Sequence, residues 1–118
     1  MDVDFFTTEA YENFVQLTDR FERMPGKNET AAFYILAHIG TLKRFAPFVC
    51  ARVIKFDKIL EMTNEWGSGL SAMGRLAAHI FNPHMEGRDI TPYEIFVSLD
   101  DVNRDVAFCA LKIAYGGH

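Results

Sequence analysis

Apolar residues in this chain recur at helical spacing. Tyr11, Phe14, Val15, Thr18 and Phe21 fall along one face of a 3.6-residue repeat, with Asp19, Arg20, Glu22 and Arg23 around the other side. Thr7 is placed to cap this first helix. Phe6 before it and Tyr11 at the fourth helical position predict a hydrophobic staple, and Glu9 in the first turn suits the helix dipole. Pro25-Gly26 is the expected stop. A second helix is predicted from a cap at Asn28. Ala31 to Ile39 is apolar at every position but His38, the pattern of a helix covered on all sides, and Gly40 is its expected end.

Residues 41–66 are ambiguous. Leu42-Lys43-Arg44-Phe45 reads as a short helix, and Pro47 suits a first helical position. The run Phe48 to Ile54 also has strand character. A single strand here would lack a partner elsewhere in the chain and leave its backbone groups unpaired, so helix is favoured for that run, and the sequence leaves open whether 47–66 is helical. The following helix opens at Ser68, carries Leu70, Met73, Leu76, Ala77 and Ile80 on one stripe, and closes at Asn82-Pro83. His84 to Asp89 reads as a polar loop. Thr91-Pro92-Tyr93-Glu94 is a strong helix start, with threonine as cap, proline at the first position and glutamate completing a capping box. Ile95, Phe96 and Leu99 are expected to face the core. Asp100 or Asp101 then caps a last helix with Val102, Val106, Cys109 and Ile113 on its stripe, Phe108 and Leu111 flanking it, and Gly116-Gly117 at its end.

These elements, in 118 residues, predict one all-α domain spanning 1–118: a compact orthogonal bundle of five to six short helices. Eleven Phe residues imply an aromatic-rich core. Cys50 and Cys109 sit among apolar neighbours, with no paired spacing for a metal or a redox motif. The acidic start Met1-Asp2-Val3-Asp4 is unlike a secretory signal, and no apolar run approaches the roughly 20 residues of a membrane span. A cytoplasmic protein with no membrane partner is expected.

Charge changes the picture more than composition does. Residues 1–30 carry seven acidic and three basic groups, residues 31–85 three acidic and six basic, and residues 86–118 six acidic and three basic. The chain has a basic middle between acidic ends. Within that middle, Lys43, Arg44, Arg52, Lys55 and Lys58 alternate with Phe45, Phe48 and Phe56. Cations beside aromatic rings are what a nucleic-acid strand or an acidic protein surface meets. The loop Trp66-Gly67-Ser68-Gly69, with Arg75 one to two turns into the next helix, is a second candidate contact, because helix-start amides accept anions. It lacks the phosphate-loop lysine and the spacing of a serine nucleophile.

Candidates for catalysis are sparser. His79, His84 and Glu86 could contribute to a metal site, but five residues with Asn82-Pro83 between the histidines is not the i, i+4 spacing of a zinc helix. Glu61 and Glu65 share a face only if 58–66 is helical. No cofactor and no catalytic residue is assigned.

Phe33-Tyr34-Ile35-Leu36-Ala37, Leu70 to Phe81 with Arg75-Leu76-Ala77, Thr91-Pro92-Tyr93-Glu94-Ile95-Phe96 with Leu99-Asp100, and Ala110-Leu111-Lys112-Ile113 together resemble a small helical domain family of Firmicutes and of their phages and mobile elements. The likeness spans most of 8–116 and rests on core and capping positions. It implies a bacterial or phage-derived setting and carries no activity with it.

The function expected from these residues is a non-enzymatic binding or regulatory module. It would act through a protein partner, as a phage-type inhibitor of a host system or as a homodimer, with Lys43, Arg44, Arg52, Lys55, Lys58, Trp66 and Arg75 as its contacts. The alternatives are a nucleic-acid-associated protein using segment 43–58 and a small metal-dependent hydrolase.

Overall fold

Residues 31–37 are buried without exception, and that run decides the architecture. In the computed structural model, which describes residues 5–21, 24–50, 53–82 and 91–116, they form the middle of helix α2, Lys27–Ile39. Helix α1 (Thr8–Asp19), helix α5 (Ser68–Phe81) and helix α7 (Asp101–Tyr115) all pack against α2. Between α2 and α5 lie the short α3 (Leu42–Phe45), a 3-10 turn (Ala46–Phe48) and α4 (Phe56–Thr63); α6 (Pro92–Phe96) precedes α7. The fold is thus an all-α bundle of seven α-helical segments among the described residues, five of them eight residues or longer. Its radius of gyration of 12.9 Å matches a compact domain of this length.

The helix starts follow local chemistry. Thr7 Oγ1 accepts from the Ala10 amide, Thr91 Oγ1 from Glu94 and Asp100 Oδ1 from Asn103, so each first turn has one orphan donor satisfied. Helix α2 begins one residue before the expected cap. The Gly26 amide donates to Glu29 Oε1 at 2.8 Å, which anchors the first turn from inside the helix.

Three expectations need correction. Helix is the expectation for the run Phe48 to Ile54, yet β1 (Val49–Cys50) and β2 (Val53–Ile54) pair antiparallel, Val49 opposite Ile54 and Cys50 opposite Val53. The missing partner strand is the second half of the same apolar run, and β-branched Val49, Val53 and Ile54 suit it. Arg20 Nε donates to the Val49 carbonyl at 3.0 Å and ties this hairpin to the end of α1.

The first helix ends at Asp19 rather than at Pro25-Gly26, and it buries Ala10, Asn13 and Leu17, whereas Tyr11 is exposed. The ring that meets Tyr11 is Phe5, at 5.3 Å between centroids. On α7 the buried stripe is Val106, Ala107, Ala110, Ile113 and Ala114; Val102 and Phe108 are exposed. Arg52, His84, Glu86 and Gly117 lie outside the described residues.

Candidate functional site

Of the basic middle, Lys43 and Arg44 lie on α3, Lys55 just before α4 and Lys58 on it, and Arg52 lies outside the described residues. Arg44 and Trp66 do meet: the guanidinium carbon lies 5.4 Å from the indole ring centroid, a cation–π distance. Trp66 leans on the Phe45 ring, 5.7 Å between centroids, and Phe45 is fully buried. A Cβ on Gly40 would sit 2.5 Å from the Phe45 ring and 3.2 Å from the indole. The glycine that ends α2 therefore leaves room for both rings. Trp66 is half-buried, so part of its role is to close the core beneath α3. Lys43 is exposed on the same short helix.

Lys55 and Lys58 are both exposed. With Val53, Ile54, Phe56, Asp57, Phe81 and Asn82 they line a shallow cavity of about 370 Å³ between the hairpin, α4 and the end of α5. Lys58 is also 3.8 Å from Glu61, an exposed i, i+3 pair worth little to stability. Arg75 is exposed midway along α5.

At the Trp66 loop, Gly67 takes φ +101°, a conformation open to glycine and strained for other residues. Ser71 Oγ donates to Asn64 Oδ1 at 2.8 Å and braces the turn from α4 into α5. A Cβ on Gly69 would lie 3.1 Å from the Ser98 carbonyl oxygen, so the first turn of α5 packs on the α6–α7 junction.

The candidates for catalysis are also apart. Helix α4 ends at Thr63, which leaves Glu65 in the following turn. His79 is half-buried on α5. No group of three His, Cys, Asp or Glu side chains able to hold a metal occurs among the described residues, and His84 and Glu86 lie outside them.

The feature that sequence reasoning missed is on α6 and α7. Phe96 and Phe108 stack, with centroids 5.2 Å apart and planes 22° from parallel. Tyr93, Val97, Phe108 and Tyr115 are 76%, 62%, 55% and 65% exposed. Tyr93 and Val97 are four apart at α6, and Phe108 and Tyr115 are seven apart, two turns, on α7. Glu94, Asp101 and Asp105 are exposed on the same two segments, with Arg104 3.4 Å from Asp101. A signal for these exposed side chains was present. Helix α7 has more large apolar side chains than one buried stripe accommodates, and Phe108 falls off the Val106–Ala110–Ile113 face.

No helix among the described residues is long and apolar enough to cross a membrane. Compared with protein-family models, curated proteins and solved structures, the chain matches none.

Proposed function

We propose that this chain is a non-enzymatic binding module that regulates a protein partner through the α6–α7 face. The observation that carries this reading is the exposed Phe108 ring stacked on the half-buried Phe96, with Tyr93, Val97 and Tyr115 also exposed on the same two segments. Rigid aromatic side chains bury large areas at small entropic cost and make the strongest interface anchors. Contiguous exposed apolar groups rimmed by polar ones mark interaction surfaces in soluble proteins. The exposed charges on these segments are mainly acidic, with Glu94, Asp100, Asp101 and Asp105 against Arg104 and Lys112. The fitting partner therefore presents apolar side chains flanked by Lys or Arg. If the chain belongs with the phage and mobile-element proteins that it resembles, that partner is a bacterial host component and the effect of binding is inhibition.

The test is capture from bacterial lysate with the wild-type chain, Phe108→Glu and Trp66→Ala, then amide-exchange mapping of the purified complex. Phe108→Glu is expected to abolish capture while leaving the thermal unfolding curve in place, and protection is expected on 92–97 and 104–115. Protection confined to α3 and the Trp66 loop would refute the α6–α7 assignment. A complex with the mass of two copies would make the chain its own partner.

A further inference from the structure

The segment before α1 is held by an imidazole. The Phe5 ring lies among Tyr11, Phe14, Tyr34 and His38, at 5.3, 5.2, 5.3 and 5.7 Å between centroids, and is stacked within 4° of parallel on His38. Phe6 meets the same imidazole edge-on at 5.7 Å. His38 Nδ1 is 2.8 Å from the Tyr34 carbonyl oxygen, and the Phe6 amide nitrogen is 3.3 Å from His38 Nε2.

Those two partners assign the protons. A carbonyl oxygen only accepts, so Nδ1 carries the hydrogen. A backbone N–H only donates, so Nε2 must offer its lone pair. The arrangement requires the neutral Nδ1–H imidazole. A proton added to Nε2 sets donor against donor and removes the bond to Phe6. The added charge is half-buried; the stacked Phe5 face attracts it, so the lost Phe6 bond and the lost hydration are what favour release.

Among the described residues no carboxylate pairs with that cation. Tyr11 on α1 and Tyr34 on α2 are the phenol rings of the cluster. Glu9 and Glu12 on α1 and Lys43 and Arg44 on α3 are exposed, and no ion pair joins His38 to a carboxylate among the described residues. Burial lowers the His38 pKa below its ordinary 6.5, against an upward pull from the Tyr34 backbone bond.

We propose that His38 is a proton-operated latch, which when neutral seats Phe5 and Phe6 across the α1–α2 junction and when protonated releases them. Release uncovers the rings of Phe14 and Tyr34, an aromatic site that the neutral chain fills with its own Phe5. The latch does not depend on the α6–α7 reading.

The test is an NMR titration of the whole chain from pH 7.5 to 4.5. Cross-peaks from the Phe5 ring to Phe14 and Tyr34 are expected at the upper end. They are expected to vanish with the same midpoint as His38's own titration, below 6.5, while the cross-peaks of α2 with α5 and α7 persist. In His38→Phe the Phe5 contacts should not vary with pH. Phe5 contacts that survive His38 protonation, or that disappear at the same pH in His38→Phe, would overturn the latch. Should that variant fail to fold, imidazole ¹⁵N shifts of the wild-type chain decide. An Nε2–H tautomer at pH 7.5 rules the device out.

Discussion

Thr63, at the end of α4, stands so close to Gly74 on α5 that a Cβ on the glycine would lie 2.6 Å from Thr63 Oγ1 and 3.2 Å from its Cβ. The contact sets the approach of the two helices. Both residues are buried, so neither can swing aside into solvent. Intrinsic helix propensity favours alanine over glycine by about 1 kcal/mol. Overpacking costs about 1–3 kcal/mol, and here it outweighs propensity. Gly74→Ala is expected to destabilise the fold by about 1 kcal/mol net in urea unfolding. Adding Thr63→Ala should recover part of that loss, a coupling that a double-mutant cycle measures. A Gly74→Ala protein more stable than wild type would show that the helices do not pack this closely.

The Thr63 hydroxyl is fully buried and has no hydrogen-bond partner among the described residues. Such a group has lost its water without replacement, at about 1–3 kcal/mol. Thr63→Val keeps the shape and removes the unsatisfied group. A rise of about 1 kcal/mol in unfolding free energy is expected. An equal loss would mean that the hydroxyl is bonded in solution.

Asn13 joins α1 to the end of α2. Its Nδ2 donates to the Ala37 and Gly40 carbonyls at 3.3 and 3.2 Å, two acceptors that α2 leaves open at its C-terminus. Asn13→Leu should cost about 1–3 kcal/mol despite its added apolar area, because both carbonyls lose their donor away from water. Thr91→Ala, by comparison, removes an exposed cap and should cost about 1 kcal/mol. Thermal melts of the two variants side by side test this order, and a reversed order would place the Asn13 side chain in solvent.

His38 makes stability depend on pH. Its folded-state pKa lies below the ordinary 6.5, with burial as the main cause. The folded state therefore favours the neutral ring, and the unfolded chain binds the proton first as pH falls. The contribution is complete above 6.5 and is lost progressively as pH drops through the folded pKa. Urea midpoints at pH 7.5, 6 and 5 should decline more steeply in wild type than in His38→Phe. Parallel declines would assign the pH dependence to other groups.

Much of the fold was legible before any coordinates. Thr7, Thr91 and Asp100 cap their helices through bonds three residues long, and so short a loop of chain carries its own instructions. Helix α2 was recognisable as central because an apolar side chain at every position from 31 to 37 leaves no face for water. The hairpin at 49–54 was hidden for a different reason. A short apolar run has no period long enough to separate strand from helix, and its partner lay within the run itself.

Sequence by itself determined the helices, most of their ends and which of them lies at the centre, because these depend on bonds and spacings within a few residues. Tertiary structure alone decided which apolar side chains stay uncovered. Periodicity marks Phe96, Phe108 and Tyr11 as apolar, but burial depends on whether a neighbouring element arrives to cover them. It also decided the long-range pairs, Arg44 with Trp66 and Phe6 with His38, since residues 22 and 32 apart in the chain meet only through the packing of the helices between them.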